Sequence, residues 1–359
     1  MTETRFIRIT SAGEMQRLHT LDAALDSLRE GGYLWLDFTD PGQEDLACLV
    51  EPLKLHMLSV EDCLDDQQVP KVDLFPHHTF LLFNCYTYSD RVLSVEEVDF
   101  LLGRDFLITV SGRNGSNCSL HKMIEERVRL NTDSACKGPD FLLHTILDYV
   151  VDNKLASIEA LEDDIDSAEV SMLKDPSAFQ LSQLLDLRRA LLSLRKSLFH
   201  EREILVKICR RDSPFISEPA IYHFRDIYDH MAKFFELVEM NRDIVTSLTE
   251  MYLSLINNHM ARVANRTNKT VRRLTLITTV FMPLTLLAGI GGMSEWTMMT
   301  GGPPNWKVAY LAFLLALVVI GVINYLLLKL VESRGPSGRE PAGSAGSGHR
   351  RGRGGEREG

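Results

Sequence analysis

The stretch LTLITTVFMPLTLLAGIGGMS occupies residues 274–294 and decides the fold class of this chain. It contains no charged residue, and residues 274–293 suffice to cross the roughly 30 Å hydrocarbon core of a bilayer as one helix. A second uncharged apolar run occupies residues 308–328, after a short loop at residues 294–307. The chain is therefore predicted to be a membrane protein with two transmembrane helices.

The charges beside these two runs predict the orientation in the membrane. Seven cations lie on the sides away from the connecting loop: Arg262, Arg266, Lys269, Arg272, Arg273, Lys329 and Arg334. The loop itself holds only Glu295 and Lys307. Since cytoplasmic flanks carry the excess of Lys and Arg, both termini are predicted to be cytoplasmic. The first ten residues, MTETRFIRIT, contain no apolar segment typical of a signal peptide, so the large domain is predicted to stay on the side of the membrane where it is made. The predicted location is the inner cell membrane, as a multi-pass protein.

Short β-like runs alternate with helical pieces over residues 1–135, which predicts an α/β cytoplasmic domain. Residues 33–38 (YLWLDF) end at an Asp-Pro-Gly turn. Residues 79–88 and 98–110 are two further predicted strands, because they are rich in aromatic and β-branched side chains.

Helical periodicity follows this domain. Residues 136–213 are predicted to form a helical hairpin, broken at Asp175-Pro176. Residues 214–273 predict a stalk helix that continues into the first span, since no proline interrupts the helical pattern before Pro283. A helix this long is not stable alone in water, so copies of the chain are expected to pack together. The tail at residues 329–359 is rich in Gly, Ser, Arg and Pro, which predicts disorder.

The composition disfavours several classes of function. A net charge of -10 at pH 7 argues against nucleic acid as a partner. The six cysteines show no CxxC pairing, which argues against a structural zinc site. No Walker A or HExxH sequence occurs, so neither an enzyme nor an ATP-driven pump is predicted. His77-His78 is expected at the surface, whereas the acidic residues within 162–166 predict either a solvated helix face or a weak site for hydrated Mg²⁺.

A polar stripe follows the first span. Steps of three and four residues place small and polar side chains on one helix face: Asn268, Val271, Thr275, Thr278, Met282, Thr285, Gly289 and Gly292. Around a symmetry axis this face would line a pore with hydroxyl groups and a ring of methionine side chains. Alternatively, the Thr hydroxyls donate to carbonyls of their own helix, and the Gly residues permit close helix packing. The residues alone leave both interpretations open.

Several segments, in order along the chain, resemble the CorA family of divalent-cation channels. They are residues 55–62 (LHMLSVED), 68–73 (QVPKVD), 98–110, 224–230 (FRDIYDH), 265–268 (NRTN), 281–285 (FMPLT) and 292–294 (GMS). The family's signature is Gly-Met-Asn, so this chain carries a variant, Gly-Met-Ser, with Ser294 in the third position.

This resemblance implies a homopentameric funnel, in which an α/β cytoplasmic domain and a long α-helical stalk lead to two transmembrane helices per copy. The five first helices would line the pore. Ser294, with Gly292 and Met293, stands where the family's ion-selecting asparagine ring lies. The remaining pore residues are Thr285 and Met282 as rings, Thr278 from the stripe, Leu274 at the hydrophobic gate and Asn268 as the inner polar ring. Glu295 either attracts cations at the outer mouth or is a solvated loop carboxylate.

The resemblance also implies Mg²⁺ influx that is driven by the membrane potential and gated by cytosolic Mg²⁺ bound at Asp226 and Asp90. For a divalent ion, about 100 mV supplies roughly 4.6 kcal/mol, so no ATP site is needed. The predicted partners are divalent cations, membrane lipid and further copies of the chain. The alternatives are a transporter of Zn²⁺, or of Co²⁺ or Ni²⁺, and a non-conducting membrane scaffold or sensor.

Overall fold

The computed structural model describes residues 3–10, 12–65, 68–112, 126, 128, 135–291 and 306–334. The chain divides into two compact units, Met1–Asn257 and Asn258–Gly359, and the boundary lies inside one long helix. The first unit holds a β-sheet with helices on both faces. The second holds two apolar helices.

A seven-stranded sheet forms the centre of the first unit. Its strands are β1 (Glu3–Ile9), β2 (Met15–Leu18), β3 (Tyr33–Thr39), β4 (Val72–Leu74), β5 (His78–Ser89), β6 (Val92–Gly103) and β7 (Phe106–Ser111). Their order is β2-β1-β3-β7-β6-β5-β4. Strands β3 and β7 pair in parallel, and the other neighbours pair antiparallel. The strands predicted at residues 33–38 and 79–88 are confirmed as β3 and β5.

Helices cover both faces of this sheet. Four short ones lie on one face: α1 (Leu21–Ser27), α2 (Gln43–Ala47), α3 (Val50–Leu53) and α4 (Met57–Asp62). The long helices α5 (Pro139–Lys174) and α6 (Leu181–Cys209) lie on the other face, and the first part of α7 (Glu218–Gly291) packs against them. Side chains alternate between the two cores, because successive strand residues point to opposite faces: Phe80 and Leu82 join the first core, and Leu81 and Phe83 the second.

The prediction of one strand over residues 98–110 is wrong. The chain reverses at Arg104 and Asp105, so this run forms the end of β6 and most of β7. Both strands are buried on their two faces here, which makes the apolar run nearly continuous and hides the turn. Gly103 is required at the turn, since a Cβ there would lie 2.2 Å from the Phe106 ring.

A buried ion pair joins α5, α6 and β5. Lys154 and Glu201 are both fully buried, and Lys154 Nζ lies 2.9 Å from Glu201 Oε1. Lys154 also donates to the Asn84 carbonyl at 2.5 Å, while the Asn84 backbone N–H and the Ser197 hydroxyl donate to Glu201 Oε1. Burying two charges is tolerable here because each is hydrogen-bonded. This contact fixes the two long helices to β5.

Three polar contacts hold the first part of α7 on these helices. Asn241 donates to Glu162 of α5 at 2.8 Å, and Arg195 of α6 pairs with Glu239. The third contact joins the Tyr252 hydroxyl to the Phe179 carbonyl, in the segment between α5 and α6. Helix α5 ends at Lys174, directly before the Asp175-Pro176 break that the sequence indicated.

The second unit contains the rest of α7 and helix α8 (Trp306–Arg334). Two helices of the described chain are long and apolar enough to cross a membrane, the one that reaches Ile290 and the one over Tyr310–Leu327. The predicted fold class, an α/β domain with a long helix and a second apolar helix, is confirmed.

Candidate functional site

The predicted pore residues fall in two groups. Five lie at exposed positions of α7: Asn268, Leu274, Thr278, Met282 and Thr285. The other four lie outside the described residues: Gly292, Met293, Ser294 and Glu295. The geometry of the candidate pathway therefore comes from the stripe below the signature.

Helix α8 covers the face of α7 that lies opposite this stripe. A Cβ added at Gly321 of α8 would lie 3.4 Å from Leu284 Cδ1, so the two helices meet there. At about 100° per residue, Leu284 lies about 160° around the helix from Met282 and about 140° from Gly289. The polar stripe of α7 therefore faces away from α8.

Burial along the two helices agrees with this orientation. On α7 the partly buried residues include four leucine and valine positions at helical spacing: Leu276, Val280, Leu284 and Leu287. Helix α8 has a matching row of partly buried residues: Phe313, Leu317, Gly321 and Asn324. The stripe residues from Asn268 to Gly289 stay exposed, and an open groove of about 860 Å³ runs beside Met282, Thr285 and Gly289. One copy of the chain leaves this face without cover from the residues that the structure describes.

The threonine hydroxyls of α7 donate to carbonyls of their own helix. Thr278 donates to the Leu274 carbonyl at 2.9 Å, and Thr285 donates to the Phe281 carbonyl at 2.8 Å. Thr275 makes the same bond one turn earlier. A hydroxyl that donates in this way still presents the lone pairs of its oxygen. The two interpretations of the stripe are thus compatible, because the back-bonded oxygens can accept from the water shell of a cation.

Asp226, a predicted regulatory ligand, lies on α7, and its charge acts on His144 of α5 together with that of Asp148, a residue that sequence reasoning missed. Burial lowers the pKa of His144; the charge of Asp148 opposes this change, His223 adds to it, and the charge of Asp226 opposes it. The His144 and His223 rings are 5.0 Å apart, and His230 Nε2 lies 3.6 Å from Asp226 Oδ2. His144 and Asp148 are four residues apart on α5, as Asp226 and His230 are on α7. This shared spacing is the sequence pattern that could have indicated the group.

Asp90, the other predicted regulatory ligand, lies in the turn between β5 and β6. Asp90 and Arg91 both adopt left-handed backbone angles, with φ of 51° and 64°. The turn is fastened to α5 by Asp164, which accepts a hydrogen bond of 2.6 Å from Tyr88 and lies 3.9 Å from Arg91. In the described part of the chain, no group of three or more His, Cys, Asp or Glu side chains is arranged to hold a metal ion.

The acidic residues within 162–166 divide between two roles. Glu162 accepts from Asn241, and Asp164 binds Tyr88, so both hold elements of the first unit together. Asp163 and Asp166 are both exposed. Two of the four carboxylates therefore hold the fold together, and the other two belong to a solvated helix face.

The expectation that His78 lies at the surface is wrong. His78 is fully buried at the start of β5, and its Nε2 lies 2.8 Å from the Ser59 hydroxyl of α4. The Phe75 ring stacks on it with centroids 4.8 Å apart. Burial, with some repulsion from His56 and His77, lowers the pKa of His78 to about 4. This histidine is therefore neutral at ordinary pH and part of the core.

Comparison with known proteins connects these features to one family. The family model described as "CorA-like Mg2+ transporter protein" matches residues 30–330. The cobalt/magnesium transport protein CorA of Thermotoga maritima is 32% identical over 299 residues, which cover 82% of each chain. The protein of the same name from Methanocaldococcus jannaschii is 24% identical over 82% of this chain and 89% of its own. The complete structure of the CorA magnesium transporter from Methanocaldococcus jannaschii has a TM-score of 0.69 and 19% identity, and covers 92% of this chain and 98% of that one.

Proposed function

The chain belongs to the CorA-like Mg²⁺ transporter family, and from that membership we propose that it conducts Mg²⁺ into the cytosol as a channel driven by the membrane potential. Members of this family are membrane transporters of divalent cations and not enzymes. A potential of about 100 mV contributes roughly 4.6 kcal/mol to the entry of a divalent ion. This is enough for passive uptake without an energy-coupling site.

The observation that carries the proposal is the orientation of the polar stripe. Thr278, Met282 and Thr285 face away from α8, on a side that one copy of the chain leaves exposed. A homopentamer would place this side on its axis and leave α8 outside, next to lipid. Asn268 would then form the inner polar ring, and Leu274 part of a hydrophobic gate.

The outer mouth of the pore is proposed to be Gly292, Met293 and Ser294. A serine keeps an oxygen acceptor but is shorter than asparagine, so a ring of five serines is wider and orders the water shell of an ion less strongly. Glu295 follows directly and would attract cations to the mouth. Selectivity among divalent ions is therefore expected to be weaker than with asparagine at this position.

Regulation by cytosolic Mg²⁺ is proposed to use Asp226 and Asp90, with Asp148 as a third carboxylate. The charges of Asp148 on α5 and Asp226 on α7 both act on the His144 imidazole, so an ion bound by both carboxylates would be shared by the two helices. Mg²⁺ keeps several of its waters and needs only one or two carboxylates, which suits such an open arrangement. Asp90 would contribute from another copy of the chain.

The proposed location is the inner membrane, with both termini in the cytoplasm. The cations that flank the two apolar helices support this orientation, since Arg and Lys are retained on the cytoplasmic side. The loop at residues 294–307 would then face the outside. Zn²⁺, Co²⁺ and Ni²⁺ are secondary candidates for transport.

Flux into liposomes tests the proposal. Purified full-length protein is reconstituted, and entry of Mg²⁺, Zn²⁺, Co²⁺ and Ni²⁺ is measured at an imposed inside-negative potential. Ser294→Asn is expected to narrow the range of ions that enter, and Ser294→Ala to lower Mg²⁺ entry. A Leu284→Ile variant on the α8 side is the matched control and should retain entry. If no cation enters above empty vesicles, transport is refuted and the scaffold hypothesis stands.

Regulation is tested in the same vesicles by loading them with Mg²⁺. Asp226→Ala and Asp148→Ala are each expected to raise the internal Mg²⁺ concentration that halves the flux. Asp166→Ala, an exposed carboxylate elsewhere on α5, should leave that concentration unchanged. Unchanged inhibition in Asp226→Ala would remove this residue from the sensor.

A further inference from the structure

Four cations form a stripe along one face of α7, just before the apolar part of this helix. They are Arg262, Arg266, Lys269 and Arg273, and we refer to them as the basic stripe. Steps of four, three and four residues keep them within a sector of about 60° on an α-helix. All four side chains are exposed, and none of them makes an ion pair with the residues that the structure describes.

The sequence offers this stripe no counter-charge on its own helix. Between Glu250 and Glu295 the chain contains no Asp or Glu. Four exposed cations of one sign repel one another, so their arrangement on a single face favours binding of anions.

The basic stripe lies on the outward face of α7. At about 100° per residue it occupies the same sector as Leu284, whose side chain contacts α8. The polar stripe that contains Met282 lies on the opposite side. The cations therefore do not line the proposed conduction pathway, and they point outward, to the side of α7 on which α8 lies farther along the helix.

The depth of each cation follows from the rise of the helix, if the span starts at Leu274 as the proposed function requires. At 1.5 Å per residue, Arg273 lies about 1.5 Å, Lys269 about 7.5 Å, Arg266 about 12 Å and Arg262 about 18 Å from that start. The headgroup layer on each side of a bilayer is roughly 5–8 Å thick. Arg273 and Lys269 thus lie within the layer of lipid phosphates.

The two cations farther from the span differ in their distance from this layer. The Debye length is about 8 Å at physiological ionic strength, so Arg266 still lies within reach of the charged surface. Arg262 lies beyond it and should be screened. Three cations of the stripe are therefore expected to interact with a charged bilayer surface, and Arg262 serves as the control for this effect.

We propose that the basic stripe binds the headgroups of anionic phospholipids in the leaflet that adjoins the stalk. Guanidinium and ammonium groups pair with phosphate oxygens, and a cation near a charged bilayer surface contributes about a fivefold preference for it. In an assembly of several copies, each copy would hold such lipids on its outward face, where the stalk enters the membrane. The inference rests on the proposed membrane span.

Lipid selectivity of the full-length protein tests the proposal. The protein is reconstituted in phosphatidylcholine vesicles that contain spin-labelled phosphatidylglycerol or spin-labelled phosphatidylcholine, and the ratio of their association constants is measured. Wild type is expected to prefer phosphatidylglycerol. Arg273→Gln and Lys269→Gln should each lower the preference about fivefold, Arg266→Gln by less, and Arg262→Gln by under about twofold.

A second set of variants separates this site from general charge effects. Arg188→Gln/Arg189→Gln/Lys196→Gln removes three exposed cations from α6 of the first unit and should leave the lipid preference unchanged. The matched triple variant Arg266→Gln/Lys269→Gln/Arg273→Gln should abolish most of it. The proposal is overturned if the two triple variants lose the preference for phosphatidylglycerol to the same extent. It is also overturned if Arg262→Gln lowers this preference as much as Arg273→Gln does.

Two further arms identify the ligand and separate this inference from transport. Inorganic phosphate at millimolar concentration should not displace the labelled lipid; full displacement would assign the stripe to a free anion and refute lipid binding. Cation flux is measured in the same vesicles. Loss of flux with an intact lipid preference would count against the transport proposal alone, and intact flux without any lipid preference would count against the basic stripe alone.

Discussion

Removing Glu201 should destabilise the first unit more than any other single charge removal in it, because Glu201 and Lys154 are both fully buried. In Glu201→Ala the Lys154 ammonium loses its counter-charge and retains the Asn84 carbonyl, at 2.5 Å, and the rings of Phe83 and Tyr86. Breaking one half of a buried ion pair costs about 3–5 kcal/mol. For a unit of this size, that loss lowers the melting temperature by roughly 6–20 °C.

The double variant Lys154→Met/Glu201→Leu separates the charge from the packing. It removes both charges but leaves the Asn84 backbone N–H and carbonyl without their present partners. Each orphaned group costs about 1–3 kcal/mol, so the double variant should lose about as much as one single variant. The coupling between the two residues is then at least about 3 kcal/mol.

Tryptophan fluorescence during urea unfolding of the full-length protein measures these losses. Trp35 is buried in the sheet, and replacing Trp296 and Trp306 with Phe leaves it as the reporter of the first unit. The partly exposed pair Arg195 and Glu239 is the control, since truncating either partner should cost under about 1 kcal/mol. Additive losses for Lys154 and Glu201, or a Glu201→Ala loss no larger than that of the control pair, would refute the reasoning.

Three further predictions follow from the described contacts. The first concerns His78, whose pKa burial lowers to about 4 from its ordinary value of 6.5. As the pH falls, the unfolded chain therefore binds a proton at His78 before the folded chain does, and about 3 kcal/mol of the folding stability present above pH 6.5 is lost by pH 4. In His78→Gln, urea titrations should no longer show this decrease of stability with pH. In a background without native cysteines, Thr285→Cys should react with a charged thiol reagent, and this modification should block flux, whereas Leu284→Cys should stay unreactive. If Leu284→Cys reacts and Thr285→Cys does not, α8 does not cover the Leu284 side of α7. Asp164→Asn weakens the hydrogen bond with Tyr88 that holds the turn of Asp90, and it should raise the internal Mg²⁺ concentration that halves the flux about tenfold. If Asp90→Ala changes this concentration and Asp164→Asn does not, the contact with Tyr88 has no part in regulation.

The parts of the fold that sequence predicts well depend on local patterns. The two apolar runs and the heptad stripe are properties of consecutive residues, so their helices follow from composition and spacing. Strand β3 is bounded by an Asp-Pro-Gly turn that the sequence displays openly. The reversal at Arg104 and Asp105 was missed because β6 and β7 are buried on both faces beside it, which leaves little alternation to mark where one strand ends.

The details that sequence could not supply depend on which elements meet. His78 is buried because Phe75 stacks on it and Ser59 binds its ring, and these partners come from different elements of the sheet domain. The His144 and His223 rings meet only because α5 and α7 pack side by side. The spacing of His144 and Asp148 marks one helix face, but it does not show which helix will lie against it.

The chemistry of the exposed face of α7 favours a hard, hydrated ion over a softer one. From residue 260 to residue 294 the chain contains no His, Cys, Asp or Glu, so this pathway offers neutral oxygens and thioethers alone. Zn²⁺ and Ni²⁺ bind best to imidazole or thiolate, whereas Mg²⁺ gives up its water reluctantly and interacts with hydroxyl and carbonyl oxygens through that shell. A ring of Ser294 oxygens at the mouth would extend the same neutral oxygen lining to the outside. A pore with this lining would not hold a dehydrated transition-metal ion in preference to its own water, and for that reason we expect Mg²⁺ to pass it more readily than Zn²⁺ or Ni²⁺.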